Sequence, residues 1–317
     1  MAKGITVTDT ELNEVDNNIN NEPSNNEITQ NVNNSDSDNT PSNYNLVQDK
    51  NIGGNANSIS ITIADTKTPI IVLFGPTNSG KTMALIRLSR YLNTKDYNVL
   101  PIKTFRDSFD NTYCELCDNF NTFINSQNAA NGTKLIDFML ISITKNAGNP
   151  ICQILEAPGE HYYDRTTPNA QFPTYFNVIK NCNNRKIWLI MVEPSWFNQN
   201  DRFGYVNKIK QLKTNMKPQD KVLFLYNKVD KTNFVRTPGV VNTAAMLKSM
   251  KNEYPGILEP FENKNPIMKI FKKYNCDVVP FSNGDFNEIE DNNLTYTPSV
   301  EEYPRLLWSK IMKLIKG

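Results

Sequence analysis

Histidine is almost missing from this chain of 317 residues: it has one, His161. Cysteine is scarce as well, five residues with no regular spacing. An odd, irregular set excludes a disulfide framework and fits a reducing compartment. Cys114 and Cys117 form a CxxC pair, but no second pair of Cys or His stands at zinc spacing, so both read as ordinary helix residues. Long apolar runs are absent too. No stretch has the length needed to span a bilayer, no apolar signal region opens the chain, Ala2 stands where N-myristoylation needs Gly, and residues 314–317 fit no prenylation pattern. The expectation is a cytoplasmic protein without a membrane span. Dense basic runs are lacking, which argues against nucleic acid as a partner.

What is present is uneven. The first sixty residues hold 16 Asn and nine acidic residues against Lys3 and Lys50, and so carry a charge of −7. The remainder, with 32 basic and 24 acidic residues, carries +8. A segment so poor in apolar side chains cannot offset the entropy of ordering itself. We therefore expect a disordered, Asn-rich acidic tail over residues 1–65 and a folded domain over residues 66–317.

From about residue 66 the pattern alternates strand and helix, the signature of an open α/β sheet. Apolar runs suited to strands cover residues 69–74, 135–144, 150–155, 186–192, 221–226 and 276–281. Helical periodicity covers residues 81–92, 203–213, 243–254 and 300–315. Most of the strands are continuous apolar runs, as central strands covered on both faces should be. Only a short turn separates residues 135–144 from 150–155, which predicts an antiparallel hairpin. The last helix is amphipathic with Lys310, Lys313 and Lys316 on one side, a pattern that fits packing onto the sheet or, less commonly, binding at a membrane surface.

Directly after the first strand come Gly75, Pro76, Thr77, Asn78, Ser79, Gly80, Lys81 and Thr82, satisfying GxxxxGK[ST] between a strand and a helix. Glycines there let backbone amides approach phosphate oxygens, and the helix presents its positive end to the same anion. Lys81 is placed to bridge β and γ phosphates, and the Thr82 hydroxyl to occupy one position on an octahedral Mg²⁺. After the strand at 221–226 stand Asn227, Lys228, Val229 and Asp230, an NKxD motif at the sheet edge where open α/β folds bind ligands. An Asp carboxylate can accept from the N1 and N2 hydrogens of guanine, while adenine offers a lone pair at N1 and no N2 group. Asp230 thus selects guanine by attraction and repulsion together. Asn227 addresses the other base edge, and the Lys228 stem covers the ring.

In the order of these motifs the chain resembles the translation-factor-related class of GTPases, and most of all its Ras, Arf and signal-recognition-particle-receptor β branch. The resemblance spans residues 66–317 and implies a P-loop NTPase three-layer sandwich, mostly parallel, with one antiparallel switch-hairpin strand. It also implies GTP and GDP as ligands, Mg²⁺, and a protein effector or activator. The family's DxxG is matched by Glu156, Ala157, Pro158 and Gly159, with Glu for Asp, so that Glu156 stands at the metal and Gly159 at the γ phosphate. The switch I threonine matches Thr133, 23 positions ahead of Glu156. An insertion at about residues 98–132, with Phe105, Phe109, Phe120 and Phe123, reads either as a partner surface or as a small local core. Ser282 and Asn283, followed by Gly284, resemble the family's guanine-contacting SAK loop, whose contribution comes largely from backbone.

Catalysis is where the family pattern fails. The residue after the third motif's Gly, usually Gln or His, orients the attacking water. Here it is Glu160, a carboxylate that a γ phosphate would repel, followed by His161. His161 and, in cis, Arg165 complete the candidate catalytic set. The expectation is a switch that hydrolyses GTP slowly by itself. A GTP-bound scaffold without useful hydrolysis and an ATPase with an accidental NKxD are the alternatives.

Overall fold

The computed structural model describes residues 56–125, 138–146, 148–194, 198–289 and 293–317. The acidic tail up to residue 55 and the candidate switch threonine Thr133 lie outside the described residues.

Seven strands form the central sheet. They are β1 (Ile70–Phe74), β2 (Tyr97–Pro101), β3 (Met139–Lys145), β4 (Pro150–Glu156), β5 (Lys186–Val192), β6 (Lys221–Tyr226) and β9 (Asp277–Pro280), in the order β2-β3-β4-β1-β5-β6-β9. From β4 through β9 every pairing is parallel. The pairs β2/β3 and β3/β4 are antiparallel. The expected hairpin is therefore present, with Leu140 opposite Leu155 and Ile141 opposite Ile154. Every residue of β1 and β5 is buried, because their β-branched and aromatic side chains face helices on both sides.

Two helical layers enclose the sheet. On one face Ile71, Leu73, Ile154 and Leu189 meet Ala84, Leu85 and Leu88 of α1 (Lys81–Asn93) and Leu307 and Ile311 of α8 (Glu302–Lys316). On the other, Phe74 and Trp188 pack against Phe172, Tyr162 of α3 (Gly159–Tyr162), Phe176 of α4 (Thr174–Asn181) and Tyr205 of α5 (Gln199–Asn215). This is the three-layer α/β sandwich that the alternation of elements predicts. Helix α5 starts four residues ahead of the periodic pattern because Asn198 caps it, its side chain accepting from Asp201 N at 2.9 Å.

Two boundaries differ from the sequence reading. Ile59 and Ile61 are buried in the core and Thr62 N donates to Phe105 O at 2.8 Å, so the packed domain reaches back at least to Ala56 rather than starting at 66. The insertion is also partly regular structure: it contributes edge strand β2 and α2 (Asn111–Asn125). Phe105 and Phe120 are fully buried, the local-core alternative, while Phe109 is 90% exposed. The side chain of Phe123 lies outside the described residues. Pro101 ends β2, where an edge strand tolerates a residue that cannot donate to the ladder. Beyond the sheet lie hairpin β7–β8 (Val235–Thr237, Val240–Val241), α6 (Thr243–Glu253), α7 (Pro266–Phe271) and hairpin β10–β11 (Gly284–Ile289, Asn293–Pro298).

Candidate nucleotide-binding site

Strands β1, β5, β6 and β9 run parallel, so their C-terminal ends converge on one edge, and the segments leaving them carry the motifs. Leaving β1, the chain turns through Asn78 and Gly80, both at positive φ (64° and 84°), and enters α1 at Lys81. No side chain caps that helix. The positive end of the helix dipole therefore meets the loop without a side-chain cap. The loop is held by Ser79, whose Oγ donates to Pro76 O at 2.8 Å, and by the buried Lys81, whose Nζ donates to the same oxygen at 3.1 Å.

Gly80 is where three motifs meet. A Cβ on it would lie 2.4 Å from Asn227 Nδ2 and 3.0 Å from Asn283 Nδ2, so only glycine lets both amides come so close. Asn227 is fully buried and donates from Nδ2 to Ser79 O at 3.0 Å, tying the end of β6 to the phosphate loop. Lys228 adopts the left-handed conformation (φ 54°) and its Nζ lies 2.5 Å from Glu193 Oε2. Burial pushes the Glu193 carboxyl up, and the ion pair with Lys228 partly offsets it. Val229 N donates to Phe281 O at 3.1 Å, which joins the NKxD turn to the segment bearing Ser282 and Asn283. Asp230 is exposed and makes no hydrogen bond or ion pair among the described residues. Ser282 and Asn283 are both buried.

At the other end of the loop, Thr82 Oγ1 donates to Glu156 Oε1 at 2.8 Å, and the Glu156 side chain is buried at the end of β4. The added methylene of Glu relative to Asp thus leaves the carboxylate in direct contact with the loop threonine. Gly159 is pressed onto the phosphate loop: a Cβ there would fall 2.1 Å from Thr77 N. Glu160 follows, its Oε2 accepting from Thr77 Oγ1 at 2.9 Å.

The remaining catalytic candidates face elsewhere. His161 is buried, with Nδ1 2.9 Å from Tyr175 Oη and its ring against Phe138 and Tyr175. Burial lowers its pKa to about 4, with Lys81 adding to the effect and Glu160 opposing it, so the ring is neutral at pH 7. Arg165 is half exposed and pairs with Asp201 of α5 at 3.9 Å. Three partners were missed in sequence: Thr77, Glu193 and Tyr175. Thr77 occupies an unconstrained position of the motif and Tyr175 carries no local signal. Glu193 had one, a carboxylate directly after a buried strand at the ligand-binding edge.

No protein-family model matches the chain, and no characterised protein matches its sequence. Solved structures match the chain at low identity and low TM-score. A variant of SsGBP is 15% identical with a TM-score of 0.33, over 78% of this chain and 56% of that one. Translation elongation factor SelB from Methanococcus maripaludis is 12% identical with a TM-score of 0.32, over 80% of this chain and 35% of that one. Chloroplast translocon components atToc33 and psToc159 give 11% identity and a TM-score of 0.40, over 80% and 84%. The chain spans little more than half the length of the SsGBP structures. Likeness at this level carries no functional argument. The P-loop NTPase fold stands on the strand order, the parallel central strands and the GxxxxGKT loop between β1 and α1.

Proposed function

We propose that this protein is a guanine nucleotide-binding switch of the Ras-like kind, binding GTP and GDP and hydrolysing GTP to GDP and phosphate slowly without a partner. The observation that carries the reading is the meeting of Asn227 and Asn283 on Gly80, because it brings the base-reading motifs to the start of the phosphate-binding helix. In this reading the loop amides and Lys81 bind the phosphates, and the Asp230 carboxylate accepts from guanine N1 and N2. Lys228 lies over the ring, and Gly159 offers its amide to the γ phosphate.

The residues at the loop fit Mg²⁺. A hydroxyl and a carboxylate 2.8 Å apart in a buried setting are hard oxygen donors, and phosphate oxygens supply more. Thr82 and Glu156 would hold it, with Thr133 completing the shell, and the ion would neutralise charge on the β and γ oxygens.

For hydrolysis a water attacks the γ phosphorus in line, the bond to the β–γ bridging oxygen breaks, and GDP and phosphate leave. Glu160 stands next to that position and cannot help while its carboxylate is bonded to Thr77. His161 must leave Tyr175, or Arg165 must leave Asp201, before either can act. Slow turnover follows, together with a need for a protein activator that supplies or releases the missing group. The same engagement of His161 and Arg165 favours, as a second reading, a GTP-loaded scaffold that recruits a partner. Two measurements test this: competition of GTP and ATP for the purified full chain, and single-turnover hydrolysis. Equal affinity for ATP would overturn guanine specificity, and tight GTP binding without turnover in the presence of candidate partners would favour the scaffold.

A further inference from the structure

Glu193 is the first residue after β5, and its side chain is only 5% exposed. One hydroxyl clamps its backbone from both sides: Tyr254 Oη accepts from Glu193 N at 3.4 Å and donates to Glu193 O at 2.8 Å. The carboxylate takes no part in that clamp. Among the described residues its one charged partner is Lys228, whose Nζ lies 2.5 Å from Oε2. Burial pushes the Glu193 carboxyl up and Lys228 acts against it, so the ammonium is what keeps a negative charge in this place. The Lys228 side chain is 45% exposed and would be solvated without Glu193. A buried carboxylate is a costly way to tether a surface lysine, and the fold gains little from it because the chain there is already held by Tyr254.

What the pair does fix is the direction of the Lys228 side chain. Along the ligand edge the strands run β1, β5, β6: the phosphate loop leaves β1, Glu193 leaves β5 and the NKxD turn leaves β6, with Val192 level with Tyr226. A nucleotide with its phosphates at Lys81 and its base at Asp230 crosses the ends of β5 and β6. The Lys228 stem spans the same two ends, from the turn after β6 to the carboxylate after β5. Left free, a lysine side chain samples many rotamers and must be ordered when the base arrives. We propose that Glu193 is a positioning residue for nucleotide binding, its carboxylate holding the Lys228 ammonium so that the lysine stem is laid ready across the face of the base. This rests on the guanine-nucleotide reading above.

The test is a double-mutant cycle on the full chain, read as GDP dissociation constants, with Glu193→Gln, Lys228→Met and the two combined. Methionine keeps an apolar stem but has no ammonium to anchor. Glu193→Gln should weaken GDP by about fivefold, the cost of ordering one long side chain on binding. In the Lys228→Met background the same change should cost at most about twofold, because nothing is left to position. Unchanged GDP affinity in Glu193→Gln, or an equal loss with and without the Lys228 ammonium, would make Glu193 a structural residue and overturn the proposal. Glu193→Met, of similar length, supplies a second variant should the glutamine amide find no partner in its buried setting. A chain that folds with neither would show that Glu193 serves the fold, which overturns the proposal as well. Failure of the underlying reading looks different: the unaltered protein would then bind ADP as well as GDP.

Discussion

Thr77 Oγ1 donates to Glu160 Oε2 across 2.9 Å, and Gly159 lies between them against the backbone of the phosphate loop. The segment after β4 is thereby closed on the loop through a carboxylate. In the proposed reading a γ phosphate arriving at this place adds negative charge beside Glu160, so the bond to Thr77 must open for the carboxylate to move away.

One consequence is a bias toward the diphosphate. We expect GDP to bind more tightly than GTP, and Glu160→Gln to narrow the ratio by about fivefold, since the like charge disappears while an acceptor for Thr77 remains. Thr77→Val should narrow it less. Single-turnover hydrolysis should rise in Glu160→Gln. Dissociation constants for both nucleotides check this, and an unchanged ratio would mean that Glu160 swings clear at no cost.

His161 sets a second expectation. Its pKa is about 4 in the folded protein against 6.5 when unperturbed, so between those values the unfolded chain binds more protons and stability falls as pH falls. The contribution is fully present above pH 6.5 and is lost by about pH 4, up to about 3 kcal/mol in all. His161→Gln, which can still bond Tyr175, should flatten the slope of the thermal midpoint within that window. Parallel curves for the two proteins would show that the ring titrates normally.

Base selection is tested at Asp230. Replacing it by Asn removes the acceptor pair and should move preference from guanine toward xanthine, whose C2 carries a carbonyl in place of the amino group. A loss of GTP affinity of at least about tenfold, with xanthosine triphosphate gaining, is expected from two charge-assisted bonds. Undiminished GTP selectivity in Asp230→Asn would take away the basis of the guanine assignment.

Much of this architecture was readable because the buried strands are continuous apolar runs. The runs at 186–192 and 221–226 coincide with β5 and β6, and the loop from Gly75 to Thr82 sits where strand and helix bracket it. Strand β2 was not readable: only Val99 of its five residues is buried, so an edge strand ending in Pro leaves little apolar signal. Ile59 and Ile61 were hidden by the polar composition around them, although two isoleucines suffice to dock a segment on an existing core. The family resemblance implied that Gly80, Asn227 and Asn283 belong to one site, but it did not give the bonds around the switch. The Glu160–Thr77 and His161–Tyr175 pairs depend on how the chain after β4 turns, and no periodicity encodes that.

The metal reading turns on Thr82 and Glu156. Glutamate in place of aspartate reaches one methylene further, and here that reach brings Oε1 within 2.8 Å of Thr82 Oγ1. If Thr82 and Glu156 share an ion, GDP affinity should be much higher with Mg²⁺ than with a chelator, and Thr82→Ala should abolish most of that difference by removing a ligand. Glu156→Asp separates two ways in which the carboxylate could act. Should it bind the ion directly, the shorter side chain loses contact and the Mg²⁺ dependence drops by about tenfold, the lower end for a displaced ligand or its supporting group. Should it act through a metal-bound water, the shorter carboxylate leaves room for that water and the dependence holds or grows. Chelator-insensitive binding in the unaltered protein would remove the ion from the site altogether and leave the Thr82–Glu156 bond as a tether between α1 and β4.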